Sequence, residues 1–321
     1  MKTPPNIPKR KVKNISFKSK KTPTYNPFGF TGKTSVFMHL LLGTFAFLCV
    51  FPFLYVIIIS LTNEQSLATY GYQIIPKEWS FDAYQYLWQI RSQIFQAYGV
   101  TIFVTVVGTI ISVSLIALYA YAISRKQFIY RKQFTFIAFF TMLFSGGMVP
   151  FYIVMTQFLG LKNSIWALIL PMAVNAFYII IMRTFFMRTV PEAILDSARI
   201  DGAGEFRIFL TIVLPLSVPG IATIALFSTL AYWNDWFNAL LFIDSPNLVP
   251  LQSLLMRIES NLDFIRQNAM ISNQNSAILA SIPQDSARMA MVVIATLPIA
   301  LSYPFFQKYF IKGLTIGGVK E

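Results

Sequence analysis

Between two long apolar stretches lies a charged segment, Pro191 to Pro215, reading PEAILDSARIDGAGEFRIFLTIVLP. Its residue types suit a surface that docks a partner and transmits displacement. Thr189 and Glu192 stand three apart, the spacing at which a hydroxyl and a carboxylate cap a helix start reciprocally. Gly202 supplies the permissive backbone needed where that helix stops. The spacing predicts a short helix, a break, and a second helix running into Leu214 and Pro215. Bond-breaking chemistry has little to work with. Cys49 is the only cysteine and His39 the only histidine, so no disulfide, Cys/His metal site or triad base is available. No catalytic residue, metal ligand or bound cofactor is assigned. Cys49 is expected as a buried packing residue and His39 as an interfacial one.

Three other groups could meet a small molecule. Tyr232-Trp233-Asn234-Asp235-Trp236-Phe237-Asn238 mixes rings with amides and one carboxylate. A ring face stacks on sugar C–H groups while the polar atoms satisfy hydroxyls, so Trp233, Asn234, Trp236 and Asn238 are candidates for a substrate path. An aromatic belt at the membrane boundary is the alternative reading. Ser145 to Pro150 places Gly146, Gly147 and Pro150 inside an apolar run, where they bend a helix either to line a path or to make a packing notch. Asn175 is a polar amide at membrane depth, either a path residue or a hydrogen-bonding link between helices. Trp79, Phe81, Tyr84, Tyr86 and Trp88 read as interfacial anchors.

The elements that must position these groups are membrane helices. Apolar residues make up 55% of the chain and charged residues 12%, against roughly 25% charged in a soluble domain; mean hydropathy is +0.59. Runs free of charge cover 34–63, 92–124, 133–161, 163–182, 208–234 and 289–307. Each reaches or approaches the roughly 20 residues that span about 30 Å of hydrocarbon as a helix. The expectation is an all-α polytopic protein with six transmembrane helices, near 36–61, 98–123, 133–158, 164–183, 216–233 and 289–310. The segments between would be an external segment 64–91, an inner loop 189–215, an external loop 239–287 and a tail 313–321.

Charge sets the orientation. Residues 1–33 carry nine Lys/Arg and no acid; four more lie at 125–132, four at 183–207 and three from 308 onward, twenty of the 26 cations on one side. The positive-inside rule makes that side cytoplasmic, with both termini and the 189–215 loop there. The net charge of +13 therefore points to topology and membrane lipids, not nucleic acid. Residues 1–33 are expected as a basic disordered tail. Gly32-Lys33-Thr34 imitates the end of a phosphate loop, but Pro27 stands where its leading glycine belongs and no strand precedes it. The first apolar run is too long for a secretory signal and lacks a small-residue cleavage site.

One resemblance adds to this. Asp196-Ser197-Ala198, then Asp201-Gly202-Ala203, nine intervening residues up to Ile212, and Leu214-Pro215 are similar in spacing to the EAA loop of ABC importer permeases, with Asp196 where Glu is usual. Over roughly 90–321, through Gly317-Gly318-Val319-Lys320, the chain resembles the second permease of maltose-type carbohydrate importers, Gram-positive oligo- or polysaccharide branch. The resemblance implies the type I importer permease fold, a second homologous permease, two copies of a cytoplasmic ATPase carrying ATP and Mg, and an external solute-binding lipoprotein. It assigns ATPase coupling to Glu192, Asp196, Ala198, Asp201, Gly202, Ala203, Glu205, Leu214 and Pro215. It implies no enzymatic activity in this chain and a place in the bacterial cell membrane.

Mechanically, a rigid element seated in a moving groove would tilt the fourth and fifth helices and switch access to a cavity. Two alternatives stand: an importer permease for a non-sugar solute, and an ion-coupled secondary transporter. The second would carry ionisable groups inside its membrane runs, and apart from the boundary His39 none of the six does.

Overall fold

The computed structural model describes residues 32–271 and 283–318; the basic tail expected over 1–33 lies almost wholly outside them, as does the Asn/Gln-rich stretch 272–282. The chain divides into two compact units, 1–52 and 53–321. Among the described residues the only strand-like pairing is an isolated antiparallel bridge between Thr62 and Trp79. Everything else regular is helical.

Helix α1, Gly32–Ser60, contains Pro52. Up to that proline it is apolar on all sides, the composition of a helix that no water surrounds. Phe37, Leu40, Leu41, Phe45 and Phe47 are all exposed. Cys49 is exposed as well, so the expected packing role fails, whereas Ile59 and Ser60 at the end of the helix are buried. His39 Nδ1 lies 2.6 Å from the Ser35 carbonyl, one turn back.

After the last turns of α1, the second unit continues with two short helices, α2 (Glu64–Tyr70) and α3 (Asp82–Gln89), where sequence promised only an external segment. Asn63 caps α2, its Oδ1 accepting from the N–H groups of Gln65 and Ser66. Helix α4 runs unbroken from Arg91 to Ser124, 34 residues, covering the whole charge-free run 92–124 and starting seven residues before the span expected near 98–123. The third expected span is broken. Helix α5 (Arg131–Leu143) and helix α6 (Met148–Ile153, extended by one wide turn over Val154–Phe158) meet at 115°, with Gly147 at φ +86 between them.

Helix α7 (Trp166–Ile169, tightening over Leu170–Met172) and helix α8 (Ala176–Thr189) meet at 51°. Helix α9 (Glu192–Ile200) follows. The short helices α10 (Glu205–Ile208) and α11 (Leu214–Leu216) flank a wide turn over Phe209–Val213. They meet α12 (Val218–Trp233) at 83°. The fifth expected span is thus no straight rod. The expected external loop 239–287 is largely helical instead, holding α13 (Phe237–Phe242) and α14 (Leu251–Ile271). Helix α15, Asp285–Gly318, contains Pro298 and Pro304 and runs past the expected start of the tail at 313.

Among the described residues three continuous helices are therefore long and apolar enough to cross a membrane, and up to six crossings result when each bent pair counts as one. The protein is an all-α, multi-pass membrane protein.

Helix α4 is the shaft of the second unit and packs along both α12 and α8. The closest approach is at Gly108, where a Cβ would lie 2.6 Å from the Tyr232 ring. Only glycine lets α12 come so near. The Tyr232 hydroxyl passes over it to donate to the Ile169 carbonyl at 2.8 Å, so one side chain pins α12 to both α4 and α7. At one end of α4, Leu87, Ala97, Trp233, Leu251, Ala287 and Ala290 form an apolar core; at the other, Ile116, Ala120, Tyr121, Phe186, Leu195 and Ile208 form a second. The start of α15 is held to α2 by Glu64, whose carboxylate accepts from Asp285 N (3.0 Å) and from Ser286 N and Oγ (3.1 and 2.7 Å). A negative charge at a helix N-terminus satisfies amides that have no intrahelical partner.

Candidate functional site

The segment 189–216 is built on one buried stripe and one solvent face. Helix α8 carries its own register through Thr189, and Pro191 stands before α9 in an extended conformation without a side-chain cap. The reciprocal Thr189–Glu192 cap is therefore absent. Thr189 belongs to the preceding helix, and Glu192 reaches back to Lys126 at 3.0 Å. That hydrogen bond holds the Glu192 carboxyl below the usual carboxylate range.

Helix α9 is amphipathic. Leu195 is fully buried and packs with Phe186, Val190 and Ile208. The helix ends as the glycine requires. Gly202 takes φ +79 and donates to the Arg199 carbonyl at 3.0 Å, while Ala203 donates to Ala198 at 2.9 Å. These are the two bonds of a Schellman stop, which satisfies carbonyls the helix leaves open. Ala198 and Ala203 both rest on the core beneath. Nothing lies within 4 Å of where a Gly202 side chain would begin, so the need for glycine here is conformational.

Four charged groups lock this turn. Arg199 pairs through Nη1 with Asp196 at 2.7 Å and through Nε with Glu205 at 2.8 Å. The other oxygen of Glu205 accepts from the Tyr121 hydroxyl at 2.6 Å, and the Arg125 guanidinium lies 5.1 Å from the Tyr121 ring centre. Asp196 is thus engaged inside the segment, bracing Arg199. Asp201 faces solvent. Leu214 is half-buried against the core and Pro215 is exposed. The chain turns just after them at Ser217, whose N–H is shared between the Val213 and Leu214 carbonyls.

The sequence reading missed two side chains. Ile200 is 86% exposed and Phe206 66% exposed, one on each side of Gly202. Large apolar groups held outward by a braced turn are what a docking partner buries. The signal was present as two apolar residues inside a charged stretch. Arg199, Tyr121 and Arg125 were also overlooked, because the bracing pairs join positions up to 84 residues apart.

The second candidate group divides. Trp233 is buried, its Nε1 donating to the Ala295 carbonyl at 3.1 Å. Asn238 is buried too, held by Asp235 through its backbone N–H (3.2 Å) and Nδ2 (3.0 Å). Burial pushes the Asp235 carboxyl up, partly offset by the bonds from Asn238. Asn234 is exposed, with Nδ2 turned onto the Leu230 carbonyl. Trp236 remains on the surface beside Phe237. Phe237 in turn lines a concavity of about 490 Å³ with Gly146, Gly147, Pro150 and Phe151. The break in the third span and the cluster at the end of α12 thus come together through a residue not singled out from sequence. Asn175 is exposed. It caps α8, accepting from Phe177 N at 2.9 Å and Tyr178 N at 3.3 Å.

Comparison with known proteins points one way. A family described as "Binding-protein-dependent transport system inner membrane component" matches residues 115–316. The polygalacturonan/rhamnogalacturonan transport system permease protein YtcP of Bacillus subtilis is 42% identical over 277 residues, 86% of this chain and 94% of the relative. Protein LplC of the same organism is 41% identical over 281 residues, 88% of this chain and 92% of its own. Among solved structures, a bacterial ABC transporter involved in the import of the acidic polysaccharide alginate superimposes with TM-score 0.72 at 28% identity. That superposition covers 88% of this chain and 99% of the other.

Proposed function

This chain belongs to the family of binding-protein-dependent transport system inner membrane components, and from that premise we propose that it forms half of the path by which an oligosaccharide enters a bacterial cell. As a family member it is a multi-pass permease of an ABC importer, a transport component of the cell membrane. The relatives' names support a carbohydrate cargo. The partners inferred are a second, homologous permease, two cytoplasmic ATPases that carry the ATP and Mg, and an external binding lipoprotein. Both termini and the 189–216 segment face the cytoplasm, as the cation count requires.

In this reading the ATPase seats against the turn at Gly202. The observation that supports it is the combination of bracing and exposure. Arg199, Asp196, Glu205 and Tyr121 fix the turn to α4, while Ile200 and Phe206 project from it. Closure of the ATPases pushes on α9. Leu195 and Phe186 pass the push to α8, and Glu205 and Tyr121 pass it to α4. A joint made only of packed side chains and charge-assisted bonds yields little before the helices move. Nucleotide and loaded binding protein must then favour the same arrangement of helices.

The experiment is co-purification from membranes with Ile200→Asp, Phe206→Asp and the double variant, scored for recovered ATPase. Loss of ATPase with retention of the second permease is expected. Full ATPase recovery with the double variant would overturn the docking role. A cysteine at Ser197 in a Cys49→Ser background should react with impermeant thiol reagents only from the cytoplasmic side, and one at Asn247 only from outside.

A further inference from the structure

The first turns of α4 and the facing side of α14 enclose a concavity of about 270 Å³ that the transport reading leaves unused. Arg257 lies in its wall, oriented by a single bond from Nη2 to the Ile243 carbonyl at 3.0 Å. That carbonyl is neutral. Among the described residues no carboxylate pairs with Arg257, although Lys162 pairs with Asp244, and Arg288 pairs with Asp263. Lys77 and Arg91 lie over the rings of Tyr70 and Trp88. Arg257 is thus a full positive charge, aimed and left without an anion, in the wall of a cavity. Gln93 and Asn261 place amides beside it, and Leu254 and Ile258 supply an apolar side.

This chemistry selects among ligands. A guanidinium presents parallel N–H groups that match a carboxylate in a bidentate pair. Amides satisfy hydroxyls from either side, since each carries both a donor and an acceptor. An apolar wall accepts the C–H face of a pyranose. The volume is below the roughly 300–1,000 Å³ that holds a drug-sized ligand, so one ring fits and a chain must extend beyond it. We propose that this concavity is a subsite for a single uronate ring of an acidic oligosaccharide, with Arg257 on the carboxylate and Gln93 and Asn261 on hydroxyls. The inference rests on the oligosaccharide reading above. It also rests on placement: Ala97 in this wall and Tyr121 at the braced turn lie on one helix about 36 Å apart, so the subsite is at the end of α4 remote from the ATPase.

The test uses the assembled importer in lipid nanodiscs, without its binding protein, titrated with trigalacturonate and with the same trisaccharide reduced at its carboxyls to the neutral sugar. Arg257→Gln should weaken trigalacturonate binding about tenfold or more and leave the neutral sugar unmoved. Arg257→Lys should recover part of the loss, because charge survives without the fork. Gln93→Ala should weaken both sugars a few-fold. Equal effects of Arg257→Gln on the two sugars, or none on either, would overturn the subsite. An Arg257→Gln importer that binds trigalacturonate normally but engages its binding protein less tightly would also overturn it, by assigning the charge to protein docking. Transport of no oligosaccharide by the wild-type complex is a different result, and it sinks the functional reading itself.

Discussion

The Tyr121 hydroxyl donates to Glu205 Oε2 at 2.6 Å, and this bond ties the 34-residue helix α4 to the turn that would receive an ATPase. Glu205 is held from its other oxygen by Arg199, so the tyrosine fixes the far side of an already braced carboxylate. Tyr121→Phe removes that link and keeps the ring packed against Phe209 and Phe186. A hydrogen bond to a charged group contributes about 1.5–3 kcal/mol, less here because the Glu205 side chain is 56% exposed. The expected outcome is an assembled importer with normal basal ATP hydrolysis and a several-fold smaller stimulation by loaded binding protein. The ratio of stimulated to basal hydrolysis measures it.

At Gly202 the demand is for φ +79 in open space. Gly202→Ala should cost on the order of 1–2 kcal/mol, the price of a Cβ in the left-handed region. Gly202→Asn should cost less, since asparagine visits that region more readily. If obstruction were the only issue, the larger asparagine would be worse in every assay. ATPase recovery and melting temperature for the two variants, measured side by side, give the order.

Gly108 poses the opposite problem, because space is what it lacks. Gly108→Ala drives a methyl into the Tyr232 ring, 2.6 Å away, and overpacking of this kind costs about 1–3 kcal/mol. Lower abundance of assembled complex is expected, with partial rescue by Tyr232→Leu, which clears the space while giving up the bond to Ile169. No rescue in the double variant would show that the ring is not what the methyl meets.

The aromatic cluster should separate into two phenotypes. Trp233→Ala removes a buried ring and its bond to the Ala295 carbonyl, so protein abundance should fall before uptake per complex does. Trp236→Ala and Asn234→Ala remove surface groups and should preserve assembly. If they meet cargo, each lowers uptake per complex several-fold to tenfold, the effect of a lost contact of about 1 kcal/mol. Quantified complex and initial uptake rates, taken together, distinguish the cases.

Asp235 gives a pH signature. Its folded-state pKa is raised by burial, above an unfolded value near 3.9. The fold therefore favours the protonated carboxyl. The cost of holding the charge is present above the raised pKa and disappears as pH falls through it toward the unfolded value. Between neutral pH and pH 4, the melting temperature of the Asp235→Asn complex should gain less on acidification than that of wild type. Parallel curves would place the titration elsewhere.

Much of this was legible in the sequence, for identifiable reasons. Apolar runs reveal helices because a membrane leaves backbone groups no other partner, and Gly202 revealed a helix stop because left-handed backbone favours glycine. What failed was local. Asn175 was open as a path residue or as a link between helices, since depth is readable from position, but the break before α8 that turns its amide into a cap is a tertiary fact. Thr189 and Glu192 had the right spacing for a cap, but Thr189 ends α8 and Glu192 opens α9. Trp233 and Trp236 are alike in sequence and opposite in burial, because only α15 decides which ring it covers. Arg257 was one cation among six in the alternate connections; its lack of a carboxylate became visible only beside Lys162 and Arg288, which have theirs.

The 115° break between α5 and α6 has a consequence for how the protein is made. Helix α5 has 13 residues and the stretch from Met148 to Phe158 has eleven, about 20 Å and about 17 Å of helix. Neither reaches across some 30 Å of hydrocarbon, and the backbone at the bend must find protein or water rather than lipid. The aromatic stack that holds α6, Phe151 and Tyr152 on Phe242, is completed only about ninety residues later in synthesis. Until then this hairpin has no finished place in the bilayer. A ribosome stalled before Phe242 would leave a segment that can neither retreat into water nor settle in lipid, marking the truncated chain for membrane proteases.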